Sequence, residues 1–420
     1  GMLDVPIPWR LRLADVCAKR QDCSTALEQY TRVIDAQPSG ITLTAETSGN
    51  EACGRRVKVR LGHFTSAWRA QAFASRGAVF ATLGSGRAAK EDCEQAILLE
   101  PGYAFPHDTL ARLRRDEGDD DGAIESWQRA AALAPQEAAD IAREIARLYV
   151  ARAAGTHQRP LRQGWLDRAV AEYRRAVSVT LEPVEEAQLR AELGSALADL
   201  GRYDEAVTEY ERAVLAGRDS PRVDGHHLGL ARAYERSDRY PEAATHYHQA
   251  LRLREKAYRD AASRKATDAE SRAAALALAE IQNRIAYLYA QQDVRLDEGL
   301  SLIEQALTLA SSSLRLDDES SPQERDCWAA YLDTRAWLRH KLGDGEGAIA
   351  DLLEAIRFST GTVEERQHLA VVYEVRAAGR VSEADRRLDL ALARREWTHA
   401  RKLHPDSEVA AQALARLPQG

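Results

Sequence analysis

The densest set of ligand-capable side chains in the chain is His226-His227 and His246-x-His248. Neutral imidazoles bind zinc and similar ions well, and the two clusters fall in what read as the two helices of one hairpin, which lets them approach. Residues two apart on a helix face different directions, and no Cys, Asp or Glu completes the set, so they read as surface or core histidines. No metal and no cofactor is expected. The five cysteines, Cys17, Cys23, Cys53, Cys93 and Cys327, are odd in number, lie far apart and form no CxxC pair. That pattern supports neither a disulfide framework nor a thiolate metal site, and it suits a reducing compartment. Cys17, Cys93 and Cys327 sit at apolar helix positions as small core residues, while Cys53 falls in a segment that could expose it without any feature that lowers its pKa. Gly84-Ser85-Gly86-Arg87-Ala88-Ala89-Lys90 lacks the GxxxxGK[ST] spacing of a phosphate loop and sits in a helix-helix turn. No catalytic constellation emerges, and the chain reads as a non-enzyme.

The elements that would position these residues repeat. A small residue, three others, a bulky residue, two others and a small residue recur nine times, as in Ala26/Tyr30/Val33, Ala123/Trp127/Ala130, Ala206/Tyr210/Ala213 and Ala243/Tyr247/Ala250. An i, i+4, i+7 set lies along one face of a helix, and its small members let a partner helix come close. A looser companion set precedes each, for example Gly77/Phe80, Ala231/Tyr234 and Ala370/Tyr373, with arginine in the aromatic slot at Arg114 and Arg339.

Composition agrees with repetition. At 420 residues the chain exceeds one ordinary core, and a repeat escapes that limit because each unit touches only its neighbours. The 45% apolar, 29% charged and 6% aromatic content suits a helical protein packed with small side chains. A net charge of -7 and a pI near 6.0 argue against a general nucleic-acid or membrane role. No apolar run is long enough to span a bilayer. Arginine far outnumbers lysine, which points to a GC-rich bacterial gene, and a cytoplasmic location is expected.

Leu193-Gly194 followed by Leu200-Gly201-Arg202-Tyr203-Asp204-Glu205-Ala206, with Tyr210 and Ala213 beyond, resembles the tetratricopeptide repeat. That signature runs Trp-x2-Leu-Gly-x2-Tyr, Ala-x3-Phe and Pro over 34 residues, each unit being one helical hairpin. The resemblance implies an all-α fold, a right-handed superhelical solenoid of stacked hairpins, with units near 7–40, 70–103, 104–137, 138–183, 187–220, 224–257, 279–313, 329–362 and 363–405. A capping helix over 407–417 would close the stack.

Irregular spacing marks the places where the repeat is interrupted. An insertion over 39–66 contains two alternating, β-branched segments, Ile41 to Thr47 and Val57 to Leu61, which read as a small β-hairpin. Gly155, Pro160 and Gly164 suggest a loop before a helix near Trp165. The stretch 241–291 contains no Gly or internal Pro, and Thr267-Asp268-Ala269-Glu270 matches a capping box. Two helices of about 25 residues, roughly 37 Å each, should form a hairpin that projects beyond its neighbours and meets a partner or a second copy of the chain. The polar segment 311–325 reads as a hinge.

In the family this chain resembles, ligands lie in a concave groove against the first helices. The corresponding positions here are Asp108, Arg112, Arg115 and Asp116; Arg232, Glu235 and Arg236; Asn283, Tyr287 and Gln291; and Asp333, Trp337, His340 and Lys341. The lysine and asparagine set that clamps a C-terminal carboxylate in some members is missing. The expected role is therefore a protein-protein interaction scaffold for a peptide or protein partner with acidic and apolar side chains, met by Arg112, Arg115, Arg232, Arg236, Asn283, Tyr287, Trp337, His340 and Lys341. The alternatives are the sensor or regulatory arm of a larger signalling or effector protein and, below it, an enzyme with an unrecognised site.

Overall fold

The computed structural model describes residues 7–36, 61–264, 267–314, 321–359 and 362–417, with side chains described from residue 66 in the third helix. Two compact units divide the chain, one ending at Leu200 and the other starting at Gly201. No strand occurs among the described residues.

The first unit is built from α1 (Ile7–Lys19), α2 (Cys23–Asp35), α3 (Leu61–Thr82), α4 (Gly86–Leu99), α5 (Ala104–Asp116), α6 (Asp120–Leu133), α7 (Ala138–Ala154), α8 (Arg159–Val179) and α9 (Pro183–Asp199). Each helix packs on the next, and α3 also touches α1 and α5. The second unit holds α10 (Tyr203–Ala216), α11 (Val223–Arg236), α12 (Tyr240–Ser263), α13 (Asp268–Gln292), α14 (Leu296–Ser313), α15 (Pro322–Lys341), α16 (Gly345–Phe358), α17 (Val363–Gly379), α18 (Glu383–Leu403) and α19 (Glu408–Arg416). Here too successive helices pack, while α13, α15 and α17 lie side by side. With α11 linked to α13 by the Arg232–Glu280 ion pair, the odd-numbered helices from α11 to α17 present one shared face.

The small-bulky-small sets explain the close packing. Ala123, Trp127 and Ala130 are fully buried, as are Ala243, Tyr247 and Ala250. Gly229 shows how little space remains: a Cβ there would stand 2.3 Å from Cε1 of the Tyr210 ring. Where arginine replaces the aromatic of the first helix, buried polar groups meet it. Arg114 donates to Gly122 O and Ser126 Oγ, and Arg339 to Asp351 Oδ2 at 2.8 Å. Asp351 also takes a two-pronged contact from Arg335. The same fork joins Arg76 to Asp92 and Arg376 to Asp389, each running from the first helix of a hairpin to the second.

Several boundaries differ from the sequence reading. The hairpin expected at 41–61 lies outside the described residues apart from Leu61, which opens α3. Residues 61–66, taken above as insertion, are therefore helical, because a long run of helix-tolerant residues extends the first helix of that unit backward. The loop expected before Trp165 gives way to helix from Arg159, since Pro160 sits in the first turn, where its missing N–H costs nothing. Both ends of the expected hinge are helix as well. α14 runs to Ser313, and Ser321 with Glu324 forms a reciprocal capping box at the start of α15, leaving 315–320 outside the described residues. In the long hairpin, Thr267 and Glu270 form such a box at the head of α13, and Ser382 caps α18.

Candidate functional site

The shared face of α11, α13, α15 and α17 encloses a groove of about 580 Å³ in the second unit. Arg232, Glu235 and Arg236 enter it from α11, Asn283, Arg284, Tyr287 and Gln291 from α13, Asp326, Ala330 and Asp333 from α15, and Glu364 and Glu365 from α17. The helical repeat puts them there, because residues three, four and seven apart return to one face.

Much of this polar surface is already engaged. Arg232 pairs with Glu280 at 2.5 Å, and Arg236 donates to the Tyr203 hydroxyl at 2.8 Å. The Tyr247 hydroxyl donates to Glu235, and Gln291 donates to the Tyr287 hydroxyl. Glu365 is buried, accepts from Ser359 Oγ at 2.6 Å and from the backbone of Thr362, and has its pKa raised, by burial first. Arg284, Asp326 and Glu364 are exposed and make no hydrogen bond or ion pair among the described residues. Asn283 Oδ1 is buried in the wall without a hydrogen-bond partner.

Of the nine residues singled out in the sequence, Arg232, Arg236, Asn283 and Tyr287 meet in this groove. Arg112 and Arg115 lie on α5 in the first unit, where Arg112 pairs with Asp108 and Arg115 with Asp116 and Glu144. Trp337, His340 and Lys341 do not line the groove. Trp337 stacks on His340 and His368, with ring centroids 5.1 and 4.4 Å away, and Lys341 Nζ lies 5.7 Å over its ring. This stack reaches the groove through His368, whose Nδ1 is 2.8 Å from Asp333 Oδ1. Burial alone would lower the His368 pKa, but the Asp333 hydrogen bond and charge hold it above its ordinary value. The sequence reading missed Arg284, Asp326 and Glu364. Arg284 is adjacent to a position it mapped, Asp326 lies two turns before the mapped part of α15, and α17 was not mapped at all.

The two histidine clusters do come together in part. His227 Nδ1 and His246 Nδ1 are 3.0 Å apart, whereas His248 Nε2 meets the Tyr289 hydroxyl at 2.7 Å. Among the described residues no group of three or more His, Cys, Asp or Glu is arranged to hold a metal ion. Cys93 is buried and its thiol is pushed up to about 12, chiefly by burial, while Cys17 and Cys327 are half-buried and Cys53 lies outside the described residues. Ser85 and Gly86 belong to the turn into α4, and Gly84 takes a left-handed φ of 74° that L side chains avoid.

Antiparallel helices of small-bulky-small pattern, stacked so that alternate helices share a face, define a helical-repeat protein. The family model for the tetratricopeptide repeat matches residues 184–256, so the chain carries tetratricopeptide repeats there. Among solved structures, the C-terminal part of a TPR repeat-containing protein from Cytophaga hutchinsonii is 15% identical, covering 76% of this chain and 98% of that chain with a TM-score of 0.50. A tetratricopeptide repeat protein from Parabacteroides merdae is 16% identical, covering 74% of this chain and 97% of that one with a TM-score of 0.46. At such identities the likeness concerns the fold alone. No curated protein matches the sequence. No helix among the described residues is long and apolar enough to cross a membrane.

Proposed function

We propose that this protein is an interaction scaffold whose second-unit groove holds an extended peptide segment of a protein partner. The observation that carries the reading is Asn283, whose Oδ1 is buried in the groove wall without a partner. A buried polar atom left unsatisfied costs about 1–3 kcal/mol, and turning the amide toward the groove would let a backbone N–H of an extended ligand relieve that cost. The amide nitrogen of the same side chain could donate to a carbonyl in return, which is how an asparagine fixes backbone direction irrespective of ligand sequence.

The unpaired charges refine the partner expected from the sequence. Arg232 and Arg236 are committed within the protein, leaving Arg284 as the groove arginine open to a ligand carboxylate or carbonyl. Asp326 and Glu364 stand opposite on α15 and α17 and suit a basic side chain. Tyr287 and Ala330 add apolar surface. The fitting segment therefore carries an acidic, a basic and a small apolar residue, a narrower ligand than an acidic and apolar peptide.

Panning a random-peptide display library against the full chain would identify such segments. Peptides selected by the wild type should bind Asn283→Ala/Arg284→Glu at least ~10-fold more weakly, about 1.4 kcal/mol, with the melting temperature little changed. Equal affinity of the selected peptides for both proteins would place recognition outside this groove.

A further inference from the structure

On another face of the second unit, α12 meets the start of α11 and the turn after α10 around a cavity of about 630 Å³. Arg218, Arg252 and Lys256 line it together with His227, His246 and Gln249, and no carboxylate does. This is unusual in a chain of 65 acidic and 58 basic residues, where arginines are commonly paired. Arg254, on the same helix, is bound to Asp224 at 2.6 Å, and Arg239 to Glu242. Arg218, Arg252 and Lys256 make no hydrogen bond or ion pair among the described residues. Three like charges converging without a counter-charge repel one another, and an anion in the cavity would relieve that repulsion.

The histidine pair adds directed donors. The ring centroids of His227 and His246 are 5.2 Å apart with the rings 22° from parallel, and the Tyr234 ring lies 5.6 Å from that of His246. Their Nδ1 atoms are 3.0 Å apart, so one Nδ1–H donates to the other Nδ1 lone pair. The accepting ring then carries its own proton on Nε2. One further proton on the donating ring leaves this bond intact and makes both Nε2 atoms N–H donors with a single positive charge. Burial pushes both pKa values down, and for His227 the neighbouring His246 and His226 add to the effect while Asp224 opposes it; Glu211 opposes it for His246. A bound anion would draw that proton on. Two nitrogens beside three cations make a poor seat for a metal ion, which needs anionic ligands to offset its charge.

We infer that this cavity, lined by Arg218, Arg252, Lys256, His227 and His246, is a binding site for a phosphomonoester. A phosphate group brings close to two negative charges and three acceptor oxygens, matching two guanidinium forks, one ammonium and imidazole N–H groups. A single carboxylate would leave several of these donors unmet. The site is separate from the peptide groove and does not depend on it.

Calorimetric titration of the full chain at 150 mM salt tests this with three probes: inorganic phosphate, O-phosphoserine and a short phosphoserine peptide beside its unphosphorylated form. Saturable one-to-one binding is expected for at least one phosphorylated probe and not for the unphosphorylated peptide. Binding of inorganic phosphate or O-phosphoserine points to a small ligand, and binding of the phosphopeptide alone to a phosphorylated partner. Arg252→Glu/Lys256→Glu should weaken it at least ~10-fold, about 1.4 kcal/mol. Raising the pH from 5 to 8 should weaken wild-type binding more than binding to His246→Gln, because burial lowers the pKa of both rings and only the wild type has the imidazole pair that takes up a proton with the anion, whereas His226, Asp224, Glu211, Arg218, Arg252 and Lys256 surround the site in both proteins. The charge-matched variant Arg87→Glu/Lys90→Glu, on α4, should bind as the wild type does. No saturable binding by any phosphorylated probe, or equal weakening by both charge reversals, would overturn the assignment.

Discussion

At the scale of single residues, this protein replaces part of its aromatic packing with buried arginine-carboxylate contacts. Asp389 on α18 is 2% exposed and receives Arg376 through two nitrogens and Arg380 through one. Burial alone would raise its pKa, but the hydrogen bonds and charges of the two arginines hold it below the ordinary value. Removing the carboxylate leaves the two guanidinium groups with only the exposed Glu346 as ionic partner. A fully buried orphan charge costs about 3–5 kcal/mol, but Arg376 and Arg380 remain 18% and 38% exposed, so about 2–4 kcal/mol is expected for Asp389→Ala near pH 7. The pH dependence follows from the direction of the shift. A carboxylate whose folded pKa is depressed contributes stability above its unfolded pKa, near 3.9, and loses it as the pH falls through the folded value. Urea unfolding of wild type and variant should therefore differ most at neutral pH and converge in strong acid. A difference independent of pH would mean that packing, and not charge, is what Asp389 supplies.

Among the elements, contact between helices is limited by the size of a few side chains. Gly229 on α11 faces the Tyr210 ring of α10, with no space for a methyl group. Gly229→Ala favours helix locally by about 1 kcal/mol, yet it must displace a ring that is 8% exposed. Overpacking typically costs about 1–3 kcal/mol, so a net loss of stability is expected, read as a lower urea midpoint at unchanged slope. A gain in stability would show that the α10-α11 contact is loose enough to open. The long helices α12 and α13 illustrate the opposite case. Nothing in their sequence breaks them, a capping box starts α13, and each runs well past the length of α10 or α11.

For the whole molecule, stability is distributed over local neighbours. Successive helices pack on one another within each unit, and buried residues fall into separate clusters, such as that around Trp397 and Leu369 and that around Trp127 and Ile145. Nearest-neighbour coupling of this kind makes stability a sum of unit and interface contributions, and cooperativity over 420 residues should fail. Scanning calorimetry should give a calorimetric enthalpy larger than the van't Hoff enthalpy, with more than one transition. Equal enthalpies in a single transition would contradict this picture.

The sequence by itself determined the repeat, because alternating small and bulky residues at i, i+4 and i+7 have one low-energy use, the close packing of helices, and each copy signals it independently. It also determined the long hairpin and the caps, which depend on residues adjacent in the chain. What it did not determine is which side chains remain available. Arg232 and Arg236 looked like open forks, but Glu280 lies 48 positions from the first and Tyr203 33 from the second. Trp337 looked like a ligand platform, but His368 and His340 cover it in stacking contact. Arg284, Asp326 and Glu364 meet in one groove from three helices, and His227 meets His246 across two. Such pairings depend on the rotation of one helix against another, set by the whole packed stack, and only the tertiary structure decided them.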